Sequence, residues 1–322
     1  MINIITLSRL SGLSSPHRLS RTLIPLLGIT GFLLLWHLLA AQVTTSLGTL
    51  PGPVQTGQQF SNLVQEHQAE RDRERAFYDR QIARNLAIKA ENPDAKVKVR
   101  GFTGRPTFFD QILTSLKTVA AGFVLAMAIA IPAGIALGLN RSLHQALNPV
   151  VQLLKPVSPL AWLPLVTIVV SALYVSPEPL VSKSFLISLV TVTLCSLWPM
   201  LINTAVGVAN MDQDLVNVSK MLRLPGLTHV RKIVLPSAIP MIFTGMRLSL
   251  GVAWMVLIAA EMLAQNPGLG KFVWDEFQNG SSDSMARIMV AVVVIGLIGY
   301  LLDRLMLALQ QRLSWDKSSA SR

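Results

Sequence analysis

The stretch Thr118-Val119-Ala120-Ala121-Gly122-Phe123-Val124-Leu125-Ala126-Met127-Ala128-Ile129-Ala130-Ile131-Pro132-Ala133-Gly134-Ile135-Ala136-Leu137-Gly138-Leu139-Asn140 carries no charged side chain between Lys117 and Arg141. About 20 apolar residues suffice for a helix to cross a hydrocarbon core of about 30 Å. This stretch therefore reads as a membrane span. Five others read the same way: Leu23–Ala41, where His37 is the only titratable group; Pro156–Val175, between Lys155 and Glu178; Ser184–Val208, between Lys183 and Asp212; Ser237–Leu263, interrupted by Arg247 and ending at Glu261; and Ala286–Ala308, with Asp303 and Arg304 at its end.

Composition agrees. The chain has 322 residues, 51% hydrophobic and 14% charged. A soluble domain carries about 25% charged residues, and here the remaining charges lie between the apolar stretches. The formal net charge is +11. No basic stripe interleaved with aromatics supports nucleic-acid binding, and excess Lys and Arg on cytoplasmic loops is ordinary for a membrane protein. Cys195 is the single cysteine, which excludes a disulfide within the chain and a Cys-based metal site. The first apolar run has no small-residue cleavage motif before Gln42 and reads as an uncleaved helix.

The loops set the topology. Arg9, Arg18 and Arg21 precede the first span. Arg141 and Lys155 bracket the loop between spans two and three. Lys220, Arg223, Arg231 and Lys232 lie between spans four and five, and Arg304, Arg312, Lys317 and Arg322 follow span six. With six spans all four segments share one side, and the positive-inside rule makes it cytoplasmic, with both termini. The chain thus divides into an N-terminus and first span (1–41), a charged periplasmic insertion (42–110), a five-span core (111–312) holding a cytoplasmic loop at 212–236, and a tail (313–322). The insertion opens on Leu50-Pro51-Gly52-Pro53, a turn that cannot continue a helix. Gln58–Ala90, with Glu70-Arg71-Asp72-Arg73-Glu74-Arg75, reads as a solvated helix with opposite charges within one turn.

Prolines 132, 156, 159, 164, 199 and 240 fall in or beside spans. Such kinks are tolerated where they are buried in protein or line a wet cavity, and the cluster from Pro156 argues for a broken entry to span three. Enzyme signatures are absent: no P-loop, no H-E-x-x-H and no G-x-S-x-G occurs, and Gly268-Leu269-Gly270-Lys271 has the wrong spacing. No catalytic or metal-ligating set is expected. Work against a gradient would draw its energy from another chain.

Between spans four and five stands Asp214-Leu215-Val216-Asn217-Val218-Ser219-Lys220-Met221-Leu222-Arg223-Leu224-Pro225, then Ile233-Val234-Leu235-Pro236. Leu215, Val218, Met221 and Leu222 share a helical face. Pro225-Gly226 breaks the helix, and a second short helix, Leu227–Val234, leads to Pro236. The apolar face suits a partner's groove or the lipid surface.

This loop resembles the EAA motif of ABC importer permeases, E-A-A-x3-G-x9-I-x-L-P. Asn217, Val218 and Ser219 stand at the E-A-A positions and Arg223 at the Gly position, while Ile233, Leu235 and Pro236 match directly. Residues 244–254 and 259–263, and Ser115–Phe123, resemble the nitrate, sulfonate, taurine and bicarbonate branch. Residues 201–208 and 272–277, and the missing Glu and Gly of the motif, are most similar to nitrate permeases. The resemblance covers 115–315 well and the insertion hardly at all.

It implies an all-α type I ABC importer permease: six transmembrane helices, a coupling loop (Asn217, Val218, Ser219, Met221, Leu222, Arg223, Leu224, Pro225, Ile233, Leu235, Pro236) seated on ABC ATPase subunits, a periplasmic solute-binding protein, and a second permease copy forming a homodimer in a bacterial inner membrane. ATP-Mg would be bound by the ATPase and no cofactor by this chain. The expected cargo is nitrate or nitrite, with bicarbonate, cyanate, taurine or alkanesulfonate as alternatives. A channel or receptor-like subunit without an ATPase is the alternative of another class. Candidate pathway residues are Arg247, the basic group within span five, and Asn203, Thr204, Trp198 and Trp254 as donors; helix packing or interfacial snorkelling competes for each. Glu261 would repel an anion and suits a gate or a structural pair.

Overall fold

The computed structural model describes residues 16–45, 48–94, 96–175 and 181–313. Arg9, Glu178, Lys317 and Arg322 lie outside the described residues. The elements are α1 (Pro16–Gln42), a small antiparallel pairing of β1 (Thr44–Thr45) with β2 (Gly48–Thr49), α2 (Pro53–Glu91), α3 (Phe108–Leu139), α4 (Arg141–Leu154), α5 (Pro159–Leu173), α6 (Lys183–Ala209), α7 (Gln213–Met221), α8 (Gly226–His229), a π-helical turn (Val230–Val234), α9 (Leu235–Ala264), α10 (Leu269–Asn279) and α11 (Ser282–Leu313). Five helical segments are each long and apolar enough to cross a membrane, and the bent pair α4–α5 makes a sixth when counted as one span.

The centre is a slab of α3, α6 and α9. Small residues bring the backbones together, as membrane helices require when no water drives them. A Cβ on Gly134 would stand 2.8 Å from the carbonyl oxygen of Leu201, and one on Gly138 2.7 Å from that of Ala205. Contacts therefore advance in the same direction along α3 and α6, and the two run parallel. On the other side Gly207 meets Met241 and Gly245 meets Asn203, so α9 runs antiparallel to α6. Val119, Val192, Met200, Ala253, Leu257 and Leu269 are buried in the core these helices share. Large apolar side chains such as Val124, Ile129, Ile168, Met255 and Leu297 point outward and stay exposed. In water this would be an unusually apolar surface; for a bundle in lipid it is the solvent-facing side.

Local chemistry sets the ends. Thr107 caps α3: its hydroxyl accepts from the Asp110 amide, and the Asp110 carboxylate accepts from the Thr107 amide at 2.9 Å. The helix thus starts ten residues before the charge-free run and includes Lys117. Pro53 opens α2 at a position where its missing N–H costs nothing.

Two expectations need correction. Span three, expected at Pro156–Val175, is shorter: α5 covers Pro159–Leu173, 15 residues, about 22 Å at helical rise, while the broken entry expected from the Pro156 cluster is present. The preceding loop is instead the helix α4, bent by 100° from α5; Lys155–Ser158 is the break. The second short helix of the loop, Leu227–Val234, is also not a separate piece. α8 runs through the π turn into α9 without interruption. Pro236 cannot donate to the carbonyl four residues back, and the widened turn just before it absorbs that mismatch. Ser237 Oγ meets the Ile233 carbonyl at 2.8 Å.

Candidate functional site

Residues 212–236 form a short arm beside the bundle. Asp212 caps α7, its carboxylate accepting from the Asp214 amide at 2.9 Å. Leu215, Val218, Met221 and Leu222 lie exposed, Met221 by 83%, so the apolar face expected from the spacing is open. Ser219, at the edge of that face beside Leu215 and Leu222, is buried, with Oγ 2.7 Å from His229 Nδ1. That contact ties α7 to α8. Asn217 is exposed.

α7 ends in a Schellman arrangement: the Arg223 amide donates to the Lys220 carbonyl at 3.1 Å and the Leu224 amide to the Ser219 carbonyl at 3.2 Å. Its geometry demands a left-handed residue, and Arg223 adopts φ 47°. This is the position at which the EAA motif has Gly, the residue that takes such a φ without steric cost. Pro225 then starts the second arm. Of the matching positions, Leu235 and Pro236 are exposed and Ile233 half-buried, while Val234 is fully buried against Val208, Ala238 and Ile242.

Three of the candidate pathway residues are held by partners of their own chain. Arg247 forms a two-pronged ion pair with Asp303 of α11; Nη2 donates to Oδ2 at 2.8 Å and Nε to Oδ1. Asn203 Nδ2 donates to the Pro199 carbonyl at 2.7 Å, and Trp254 Nε1 to that of Ile295 at 3.0 Å. Among the described residues, Trp198 Nε1 and Thr204 Oγ1 are buried without a partner.

Glu261 stands fourteen residues along α9 from Arg247, about 21 Å, and is fully buried. Ser115 Oγ of α3 lies 2.9 and 2.8 Å from its two oxygens. The Gly270 amide, in the first turn of α10, donates to it at 3.0 Å, so a helix N-terminus faces the carboxylate, as the helix dipole favours. The Leu269 amide donates to Ser115 Oγ at 2.9 Å. A Cβ on Gly268 would fall 2.1 Å from Glu261 Oε1, and one on Gly270 2.1 Å from the Ile258 carbonyl oxygen. Glu261 is thus the centre of a knot joining α3, α9 and α10. The Gly268-Leu269-Gly270-Lys271 run closes on a carboxylate of its own chain.

Around that knot sits a polar layer. Glu276 of α10 accepts from Ser284 Oγ at 2.8 Å and from Arg287 Nη1 at 2.9 Å. Arg287 also pairs with Glu66 of α2. Gln59 reaches Asp283 at 3.2 Å, His67 meets Thr107 at 2.7 Å, and Arg71 meets Asp110 at 3.0 Å. The first half of the insertion is therefore fastened over the N-terminal ends of α3 and α11 and, through Arg287, linked to α10. Two adjoining depressions of about 700 and 400 Å³ lie along this seam. Neither Arg287 nor α10 was singled out from the sequence for this role. Among the described residues, no group of three or more His, Cys, Asp or Glu is arranged to hold a metal ion.

Comparison with known proteins adds the following. The family described as "Binding-protein-dependent transport system inner membrane component" matches residues 126–315. The bicarbonate transport system permease protein CmpB of Synechococcus elongatus is 35% identical over 306 residues, covering 94% of this chain and 94% of that protein. The nitrate import permease protein NrtB of Leptolyngbya laminosa is 38% identical over 197 residues, covering 61% of this chain and 66% of that protein. Among solved structures, an inward-facing MetNI methionine ABC transporter chain superposes with a TM-score of 0.55 at 14% identity, covering 64% of this chain and 95% of that one. At that identity it speaks for the fold alone.

Proposed function

We propose a function from the premise that this chain belongs to the binding-protein-dependent transport system inner membrane components: it is the membrane subunit of an ATP-driven importer for a small, planar, monovalent anion, with nitrate the first candidate. The observation that carries the coupling half of this reading is the inner arm. Its apolar face is open, its stop is geometrically fixed at Arg223, and its second limb is continuous with α9. A push on α7 would travel through α8 and the π turn into a span. We assign α7 as the seat of a separate ABC ATPase, which would hold ATP-Mg, and place both termini of this chain in the cytoplasm. A solute-binding protein would deliver the anion on the outer side, and a second copy of the chain would complete the pathway, giving alternating access.

Nitrate and bicarbonate are both trigonal oxyanions of single charge, so one set of donors can accept either. The similarity to NrtB supports nitrate over the core. A specific observation favours bicarbonate as the second reading: the similarity to CmpB covers 94% of this chain and so extends into α2. Arg247, Asn203 and Trp254 are engaged in this state, whereas Trp198 and Thr204 keep free polar groups. We therefore place Trp198 and Thr204 first among the anion contacts, reached only when α6 shifts against α9.

Reconstituted with the ATPase and binding protein, the complex should take up nitrate in an ATP-dependent way, with bicarbonate competing and taurine not. Uptake of bicarbonate alone would transfer the assignment to the second reading. Equal flux without ATP would favour a channel and overturn the importer.

A further inference from the structure

Helix α4 has no counterpart in the function proposed above. Asn140 caps it, its side chain accepting from the Leu143 amide at 3.1 Å. At about 100° per residue, Leu143, Ala146, Leu147, Val150, Leu153 and Leu154 fall on one half of the helix. Arg141, His144, Gln145, Asn148 and Gln152 fall on the other, with Lys155 just beyond the end. Val151 is its one buried residue. Leu154 is half-buried, and the rest of the apolar half is uncovered: Leu147 is 42% and Leu153 71% exposed.

Three observations say what covers it. The helix is turned by 100° from α5, so if α5 follows the membrane normal, α4 lies close to the membrane plane. Its division into an apolar and a polar half is the pattern of helices lying at a lipid interface. Its charges are all positive, and no Asp or Glu occurs anywhere from 111 to 177. A second copy is a poor occupant: in a two-fold antiparallel contact of α4 with itself, Arg141 of one copy would face Lys155 of the other, with no carboxylate nearby.

We propose that α4 is an interfacial helix docked on anionic phospholipid. Its apolar half lies at the headgroup–acyl boundary of the inner leaflet, and Arg141 and Lys155, about 21 Å apart, hold phosphate-bearing headgroups at its two ends. The surface anchors the entry of α5 at the Lys155–Ser158 break. This inference rests on the chain being a multi-pass membrane protein and not on its cargo or its ATPase.

The test uses the full-length chain in nanodiscs, in a Cys195→Ser background. A fluorophore is attached at Leu147→Cys or, on the polar half, at Gln145→Cys. Lipids spin-labelled near the headgroup should quench the label at 147 several-fold more than the label at 145, and aqueous acrylamide should show the reverse order. Neutralising Arg141→Gln and Lys155→Gln together should lower the preference for phosphatidylglycerol over phosphatidylcholine by about 30-fold, the effect of two charges at an anionic leaflet. Acrylamide quenching at 147 equal to that at 145 would overturn the proposal. So would disulfide formation between 147 positions of two copies, which would assign the face to a dimer, or an unchanged lipid preference in the double variant. None of these readouts needs transport, so a failure of anion uptake leaves the result intact.

Discussion

The two ends of α9 are built on opposite plans. At the Glu261 end, the outer one in the orientation proposed above, a fully buried carboxylate takes Ser115 of α3 and the first turn of α10, and two glycines let the backbones close to contact. Around it, Arg287 bridges α10, α11 and α2. At the other end, among the described residues, α7 is tied back by one side-chain hydrogen bond, Ser219 to His229, and shows a row of uncovered apolar residues. A buried polar group demands complete satisfaction, so the outer end has one arrangement. An open apolar face on a short, singly braced helix awaits a partner. The contrast suits a span held at one end and driven from the other.

The comparison can be broken by substitution, beginning where the effect is largest. Gly270→Ala places a methyl 2.1 Å from the Ile258 carbonyl oxygen; the backbone must move, and a loss of about 3 kcal/mol or more is expected. Thermal unfolding in detergent would show it, and a wild-type midpoint would mean that the outer end is not tightly set. Glu261→Gln keeps the shape but puts an amide nitrogen in place of one of the two acceptor oxygens that face Ser115 and the Gly270 amide. A cost of about 2 kcal/mol is expected, read in the same assay.

At the inner end the effects should be smaller and local. Ser219→Ala removes one hydrogen bond, about 1 kcal/mol. Amide exchange should quicken in α7 while the unfolding midpoint stays put. A drop matching that of Glu261→Gln would erase the distinction between the ends. Arg223→Gly should act in the opposite sense. A non-glycine residue in the left-handed region carries a penalty of about 1 kcal/mol, so glycine should slow exchange at residues 222–224. Faster exchange there would show that Arg223 makes a compensating contact.

The sequence made the inner end easier to read than the outer. Charge-free runs place the spans, and the spacing from Asn217 to Pro236 places the arm, because both signals are local. The unusual Arg223 could be traced to a backbone requirement through the motif's Gly. Glu261 was visible as a buried-span carboxylate, but its partner Ser115 is 146 residues away, and no local pattern reports such a contact. Arg247 and Asp303 lie 56 residues apart, and their pairing was hidden in the same way. α4 was missed for a different reason. Arg141 and Lys155 made the segment look like a plain loop, although apolar residues at 143, 147, 150 and 154 already had helical spacing. α10 was concealed behind Pro267-Gly268, with Leu269, Phe272 and Glu276 as its buried face.

The most direct test of the central claim is ATP hydrolysis by the complete complex, stimulated by loaded binding protein, with Leu222→Glu at the C-terminal cap of α7. Leu222 is exposed, so the charge should leave the fold and the unfolding midpoint of the permease intact. Stimulated hydrolysis should fall at least tenfold if α7 is the ATPase seat. Unchanged stimulation, with the variant folded and assembled, would contradict the account.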